Sequence, residues 1–148
     1  MQSFLTTSLG DKIKLEDLLA ALQTRGKETY GMHFTLYKND LEIIEKLLIY
    51  FFQDIQAMNE NGISPKKGIL LSGPIGCGKT SLMTLIRSLL PTSQRFGIIS
   101  CREVTFDFIK DGYEVIQQYS TKAYNSSRKP YTTCFDDLGA ESTLKYYG

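Results

Sequence analysis

The stretch Gly68-Ile-Leu-Leu-Ser-Gly-Pro-Ile-Gly-Cys-Gly-Lys-Thr-Ser81 decides the fold of this chain. It opens with a continuous apolar run, Ile69 to Leu71, which is typical of a fully buried strand. A glycine-rich segment follows and leads into a predicted helix that ends at Pro91. The apolar residues of that helix recur at helical spacing: Leu82, Leu85, Ile86, Leu89 and Leu90.

The segment from Gly73 to Thr80 matches the P-loop pattern, in which two glycines separated by four residues precede Lys and Ser or Thr. Glycines let successive backbone N–H groups face a phosphate, and the following helix adds the positive end of its dipole. Lys79 is expected to reach the β- and γ-phosphates, and the Thr80 hydroxyl is expected to ligate Mg²⁺. The alternative is a glycine turn with an incidental lysine. We therefore predict ATP and Mg²⁺ as cofactors and these nucleotide-binding residues: Gly73, Pro74, Ile75, Gly76, Cys77, Gly78, Lys79, Thr80 and Ser81.

Two further strands are predicted after the P-loop helix, at residues 96–101 and 132–136. Between them lies a predicted helix from about Val104 to Tyr119, which Gly112 weakens in its middle. The order strand, helix, strand, helix, strand calls for parallel pairing with right-handed crossovers. The predicted fold class is α/β, a P-loop NTPase parallel sheet core flanked by helices, incomplete in this chain and preceded by an N-terminal helical segment.

The region ahead of the P-loop reads as helical. A helix over Leu15 to Leu22 should end near Gly26, and a loop should follow as far as Asn39. Asn39 and Glu42 have the spacing of a capping box, and one long helix is expected from there to about Asn61 and Gly62. We expect residues 1–66 to form an N-terminal helical segment and linker, and residues 67–148 to form a partial P-loop ATPase core.

Two adjacent aspartates end the third predicted strand. Mg²⁺ beside a triphosphate takes a carboxylate from a neighbouring strand, so Asp136 is the predicted metal ligand together with Thr80. Asp137 would then act as general base for the attacking water, which makes Asp137 and Lys79 the predicted catalytic residues. The alternative is that the two aspartates only form a turn.

These two motifs together resemble the AAA+ ATPases of the DnaC/IstB type, which are helicase loaders and transposition helper ATPases. The resemblance rests on residues 73–80 and on Cys134-Phe-Asp-Asp-Leu-Gly-Ala-Glu141. It implies an ATPase that assembles with nucleotide on DNA or on a partner such as a replicative helicase or a transposase, and a homo-oligomer is one of the assemblies it allows. The expected cytoplasmic location rests on the sequence, which shows neither a secretory signal nor a membrane span. Many members carry Glu at the position of Asp137. The family continues with further strands, a sensor residue, an arginine finger and a helical lid, so the resemblance implies a core truncated after the Walker B motif.

The remaining features narrow the function classes. Seventeen basic and sixteen acidic residues exclude the strongly basic character of a dedicated nucleic-acid binder. The sequence shows neither a secretory signal nor a membrane span, and its three cysteines suggest reduced thiols. The only histidine, His33, either packs in its loop or contacts adenine, as this region does in the family. Two rival functions stay open: a small-molecule phosphotransferase of the P-loop kinase type, and a scaffold that binds ATP without hydrolysing it.

Overall fold

The computed structural model describes residues 4–6, 10–124, 128 and 130–139. The contacts divide the chain into two compact units, Met1–Pro91 and Thr92–Gly148. None of the helices within the described ranges has the length and apolar character that a bilayer crossing requires.

The described residues of the first unit form a small sheet and four helices. Strands β1 (Phe4–Thr6) and β2 (Lys12–Lys14) pair antiparallel, with Leu5 opposite Ile13, and the sequence patterns did not predict them. The helices are α1 (Leu15–Tyr30), α2 (Leu41–Phe52), α3 (Ile55–Glu60) and α4 (Lys79–Leu89), with a 3-10 turn at Lys38–Asp40.

Apolar helix faces build the core of this unit. Helix α1 packs against α4, and α2 packs against α3 and β1. Each fully buried leucine or isoleucine contributes about 1.5–3 kcal/mol relative to an exposed one. The largest fully buried side chains of this core are Leu22, Ile44, Leu48, Met58, Leu85, Ile86 and Leu90. The predicted helix after the glycine-rich segment is confirmed as α4, whose Leu85 and Ile86 belong to this core.

Helix α1 is longer than the sequence predicted, because Gly26 does not end it. Gly26 is buried inside the helix, and a Cβ on it would lie 2.0 Å from Cε1 of the Phe34 ring. The residue that ends the helix is Gly31, whose φ of 98° suits glycine and whose N–H donates to the Lys27 carbonyl. Gly26 is thus a packing position rather than a stop signal.

The predicted capping box and the single long helix after it were both wrong. Asn39 lies in the 3-10 turn, and Glu42 pairs with Lys46 at 2.6 Å instead of capping the helix. Gln53, with a φ of 58°, interrupts the long helix. Asp54 then starts α3, because its buried carboxylate accepts hydrogen bonds from the N–H of Ala57 at 3.0 Å and of Thr6 at 2.6 Å.

The apolar run ahead of the P-loop does not form the buried strand that its composition predicts. Ile69 is 42% exposed and Leu70 is 77% exposed. Both sheets formed by the described residues leave this run out. A strand needs a neighbour to satisfy its backbone groups, and a short apolar run is not a strand by itself.

The second unit contains a parallel strand pair, β3 (Gly97–Ser100) and β4 (Thr133–Asp136), with Gly97 opposite Thr133 and Ser100 opposite Asp136. Both strands and their parallel pairing agree with the sequence prediction. The chain thus has a mixed α/β architecture with a small parallel sheet. Side chains of Phe96 and Val115 are its largest fully buried groups.

The helix predicted between these strands is in fact two helices, α5 (Cys101–Asp111) and α6 (Tyr113–Gln118). Helix α5 begins earlier than expected, because Ser100 and Glu103 form a capping box around its first turn. Gly112 separates α5 from α6 with φ 66° and ψ −144°, a conformation open to glycine and to almost no other residue.

Candidate functional site

The glycine-rich loop adopts a backbone shape that depends on glycine. Gly76 and Gly78 have φ values of 78° and 88°, and apart from the adjoining residues no described atom lies within 4 Å of where a Cβ would be on either. The positive φ strains any other residue, and the open space lets a ligand approach the backbone closely. This loop can therefore present its N–H groups to an anion.

Helix α4 starts directly at the end of this loop. Gly78 precedes its first residue, and the Gly78 carbonyl accepts the first helical hydrogen bond from the N–H of Leu82 at 2.8 Å. Its first turn carries Lys79, Thr80 and Ser81 and no acidic residue. The N–H groups of the first turn, the dipole and the lysine charge give this end of the helix a positive potential.

Lys79 folds back over the loop that precedes it. Its Nζ donates to the carbonyl oxygens of Gly73 at 3.0 Å and Pro74 at 2.8 Å, and it lies 3.6 Å from Sγ of Cys77. The ammonium group thereby ties the beginning of the loop to the start of α4. A phosphate oxygen can replace these carbonyl oxygens as the acceptor, because bonds between two charged groups are stronger than bonds to neutral carbonyls.

Thr80 and Ser81 differ in their exposure. Thr80 is exposed at the helix end, where its carbonyl accepts from the Thr84 hydroxyl at 2.9 Å. Ser81 is half-buried and faces the cavity beside the loop. A hydroxyl in the first turn of a helix next to bound phosphate has the chemistry of an Mg²⁺ ligand, so Thr80 fits the metal predicted from the sequence.

A cavity of about 460 Å³ adjoins the loop. Its volume falls within the range of small-molecule sites. One wall consists of Gly76, Cys77, Gly78, Lys79, Ser81 and Leu82, with Leu71 and Ser72 ahead of them. The other wall consists of residues around the end of α1 and the start of α2: Tyr30, His33, Phe34, Thr35, Leu36, Tyr37, Asp40, Ile43 and Ile44.

Within this second wall, the sequence alone had indicated only His33 as a candidate adenine contact. The segment shows no sustained helical or strand period, so no pattern marked it as structured. One available signal was the spacing of its aromatic residues Tyr30, Phe34 and Tyr37, which lie four and three residues apart. Aromatic and aliphatic side chains with a few polar groups are typical linings of ligand sites.

The predicted acidic residues lie in the second unit. Asp136 ends β4 and is half-buried, whereas Asp137 follows in an exposed turn with a φ of 55°. Burial, with a smaller contribution from the negative charge of Asp136, raises the pKa of the Cys134 thiol. Metal ligation by Asp136 and base catalysis by Asp137 stay predictions.

A stretch of the chain that includes the loop matches a known protein family. The model of the ATPase family associated with various cellular activities (AAA) matches residues 69–141. The match supports an AAA+ ATPase. It begins at the apolar run before the loop and extends past β4 and the two aspartates, so it includes both motifs found in the sequence. No curated protein and no solved structure matches the chain significantly.

The AAA match and the loop geometry agree on the class of ligand. ATPases of this family bind ATP, and the match therefore supports an ATP-binding ATPase module. The match identifies neither a subtype nor a partner.

Proposed function

We propose that this chain is an AAA+ ATPase module that binds Mg-ATP with the phosphates on the P-loop and the nucleoside in the adjoining cavity. The observation that carries this proposal is that the loop and the cavity share residues. Gly76, Cys77, Gly78 and Lys79 belong to the phosphate-binding motif and also line the cavity. A ligand with a triphosphate at one end and a ring system at the other matches that arrangement.

The chain's own residues hold the phosphates by charge and by backbone donors. Lys79 would exchange the carbonyls of Gly73 and Pro74 for phosphate oxygens, while the N–H groups at the start of α4 bind the same anion. Thr80 and Asp136 are the proposed ligands of Mg²⁺, which when bound neutralises part of the triphosphate charge. Asp137 is the proposed general base, and its carboxylate would orient the attacking water.

The finer assignment rests on the resemblance to the DnaC/IstB type. In this proposal residues 67–148 supply the ATPase core and residues 1–66 precede it, although part of the nucleoside wall comes from the earlier segment. Nucleotide binding would control assembly with further copies of the chain, with DNA, or with a replicative helicase or transposase. The sequence Asp136-Asp137-Leu138-Gly139 favours an ATPase over a P-loop kinase, because it resembles an ATPase strand end.

Titration calorimetry with Mg-ATP tests the proposal. Lys79→Ala removes the charge that faces the β- and γ-phosphates, so binding should weaken by about 1.5–3 kcal/mol. Lys66→Ala is the matched control, because it removes an exposed lysine that does not line the cavity. If the wild-type chain fails to bind Mg-ATP, or if both variants bind it equally well, the loop is not a phosphate site.

A further inference from the structure

The side-chain amide of Gln23 on α1 holds the loop that forms the far wall of the cavity. Its Nε2 donates to the Phe34 carbonyl at 2.7 Å, and its Oε1 accepts from the N–H of Leu36 at 2.8 Å. These two bonds flank Thr35 in the way that one residue of a neighbouring parallel strand would. A single side chain thus provides two backbone hydrogen bonds to this irregular segment.

The same face of α1 also receives the ring of Phe34. Gly26 leaves the space for it, since a Cβ there would lie 2.0, 2.1 and 2.7 Å from three atoms of the ring. Tyr30 stacks against that ring with centroids 5.9 Å apart. Gln23, Gly26 and Tyr30 follow at intervals of three and four residues and therefore lie on one side of the helix.

Gln23 and Gly26 together form a seat on α1 for residues 34–36, and the far wall of the cavity depends on this seat. Phe34, Thr35 and Leu36 all line the cavity, whereas neither Gln23 nor Gly26 is among the described residues that do. Both residues can therefore influence a ligand only through the loop that they hold in place.

We propose that Gln23 and Gly26 are positioning residues that set affinity for the nucleoside part of the nucleotide and leave the phosphate part unaffected. The inference rests on the proposed function, because it takes the P-loop as the triphosphate site. When the seat is lost, residues 34–36 adopt the binding-competent conformation in a smaller fraction of molecules, and the apparent affinity for the nucleotide falls in proportion to that fraction. Loss of two ordinary hydrogen bonds corresponds to about a tenfold reduction.

The test compares two ligands on matched variants. Gln23→Met keeps the length of the side chain and removes its amide, and Gln56→Met makes the same change at an exposed position of α3, where the amide only contacts Glu60. Calorimetry with Mg-ATP and with Mg-tripolyphosphate then separates the two parts of the site. Gln23→Met should bind ATP about tenfold more weakly and tripolyphosphate within about twofold of wild type. Gln56→Met should match wild type for both ligands.

Gly26→Ala provides a second, independent variant. Alanine favours a helix interior over glycine by about 1 kcal/mol, whereas displacing the packed Phe34 ring costs about 1–3 kcal/mol, so the melting temperature should stay the same or fall slightly. The displaced ring should lower ATP affinity about fivefold while tripolyphosphate binding is retained. A merely structural role for these positions would weaken the binding of both ligands alike and would not separate them.

Four results overturn the inference. Unchanged ATP affinity in both Gln23→Met and Gly26→Ala would show that the seat does not act on the site. An equal loss for ATP and tripolyphosphate would show a general loss of the fold. If the wild-type chain binds neither ligand, the proposed function itself is wrong and the positioning role falls with it, whereas tripolyphosphate binding without any preference for ATP overturns only the positioning role.

Discussion

The three cysteine side chains occupy environments that should give them different reactivities. Cys77 is exposed in the P-loop, Cys101 is buried and Cys134 is half-buried. The thiolate is the reactive form, and the raised pKa of Cys134 keeps its thiol protonated at pH values where an ordinary thiol begins to ionise. The order of reaction should therefore be Cys77 first, then Cys134, then Cys101.

Alkylation can therefore serve as a footprint of the bound nucleotide. We expect iodoacetamide near pH 8 to label Cys77 fastest, and we expect saturating Mg-ATP to slow this labelling, because Cys77 lines the cavity. Peptide mass mapping measures all three sites in one sample. Cys134 serves as the internal control for the activity of the reagent, since its labelling should rise with pH as its thiol ionises. Equal labelling of the three cysteines, or no slowing of Cys77 by ATP, would contradict the site assignment.

At the scale of elements, the conformation of Gly112 between α5 and α6 predicts whether a substitution there stabilises or destabilises the protein. If one continuous helix were the preferred structure, Gly112→Ala would stabilise the protein by about 1 kcal/mol. The observed φ of 66° and ψ of −144° instead make alanine strained, so we expect a loss of about 1–3 kcal/mol. Urea unfolding measures the change. Gly68→Ala is the control, because its added Cβ would meet no atom within 4 Å and its φ is not positive, so its stability should stay the same or rise slightly.

Local patterns were enough to predict some elements and not others. Helix α4 and strands β3 and β4 could be predicted because their apolar spacing and flanking turn residues lie within the element itself. The end of α1 could not, since only the packing of Phe34 distinguishes the buried Gly26 from a stop signal. The strand predicted at Ile69 to Leu71 failed for a similar reason, because a strand depends on a partner that the segment does not contain.

The same distinction applies to the candidate site. The phosphate loop could be predicted because one short motif contains the glycines, the lysine and the hydroxyl that the chemistry needs. The opposite wall of the cavity could not, because its shape depends on hydrogen bonds from Gln23, eleven and thirteen residues away from the atoms it holds. Sequence periodicity reveals the apolar faces of helices and strands, and it does not reveal a side chain that holds a loop in place.

For the molecule as a whole, the charge around the cavity limits the expected rate of hydrolysis. Of the described residues that line it, Lys79 is the one lysine or arginine. A second cation, commonly an arginine finger, typically increases the rate of phosphoryl transfer by a factor of about 10³–10⁵. We therefore expect the isolated chain to bind ATP and to release phosphate more slowly than about 1 s⁻¹, the low end of common enzyme rates.

Steady-state phosphate release over a dilution series measures this turnover, with Lys79→Ala as the blank. A specific rate that rises with protein concentration would indicate that another copy of the chain supplies the missing charge. A rate near or above about 1 s⁻¹ at every concentration would show that one copy already holds a complete catalytic site.

The bare backbone just before the phosphate loop has a consequence for how the chain behaves in water. Among the described residues, no hydrogen bond joins the backbone of Ile69, Leu70 or Leu71 to another residue. Amide protons in such a segment should exchange for deuterium within seconds, while those of α4 are retained far longer. Exposed aliphatic side chains beside backbone groups that pair with no other strand also promote association with other chains. Slowing of this exchange would therefore reveal the moment at which the segment acquires a neighbour, whether in a productive assembly or in a precipitate.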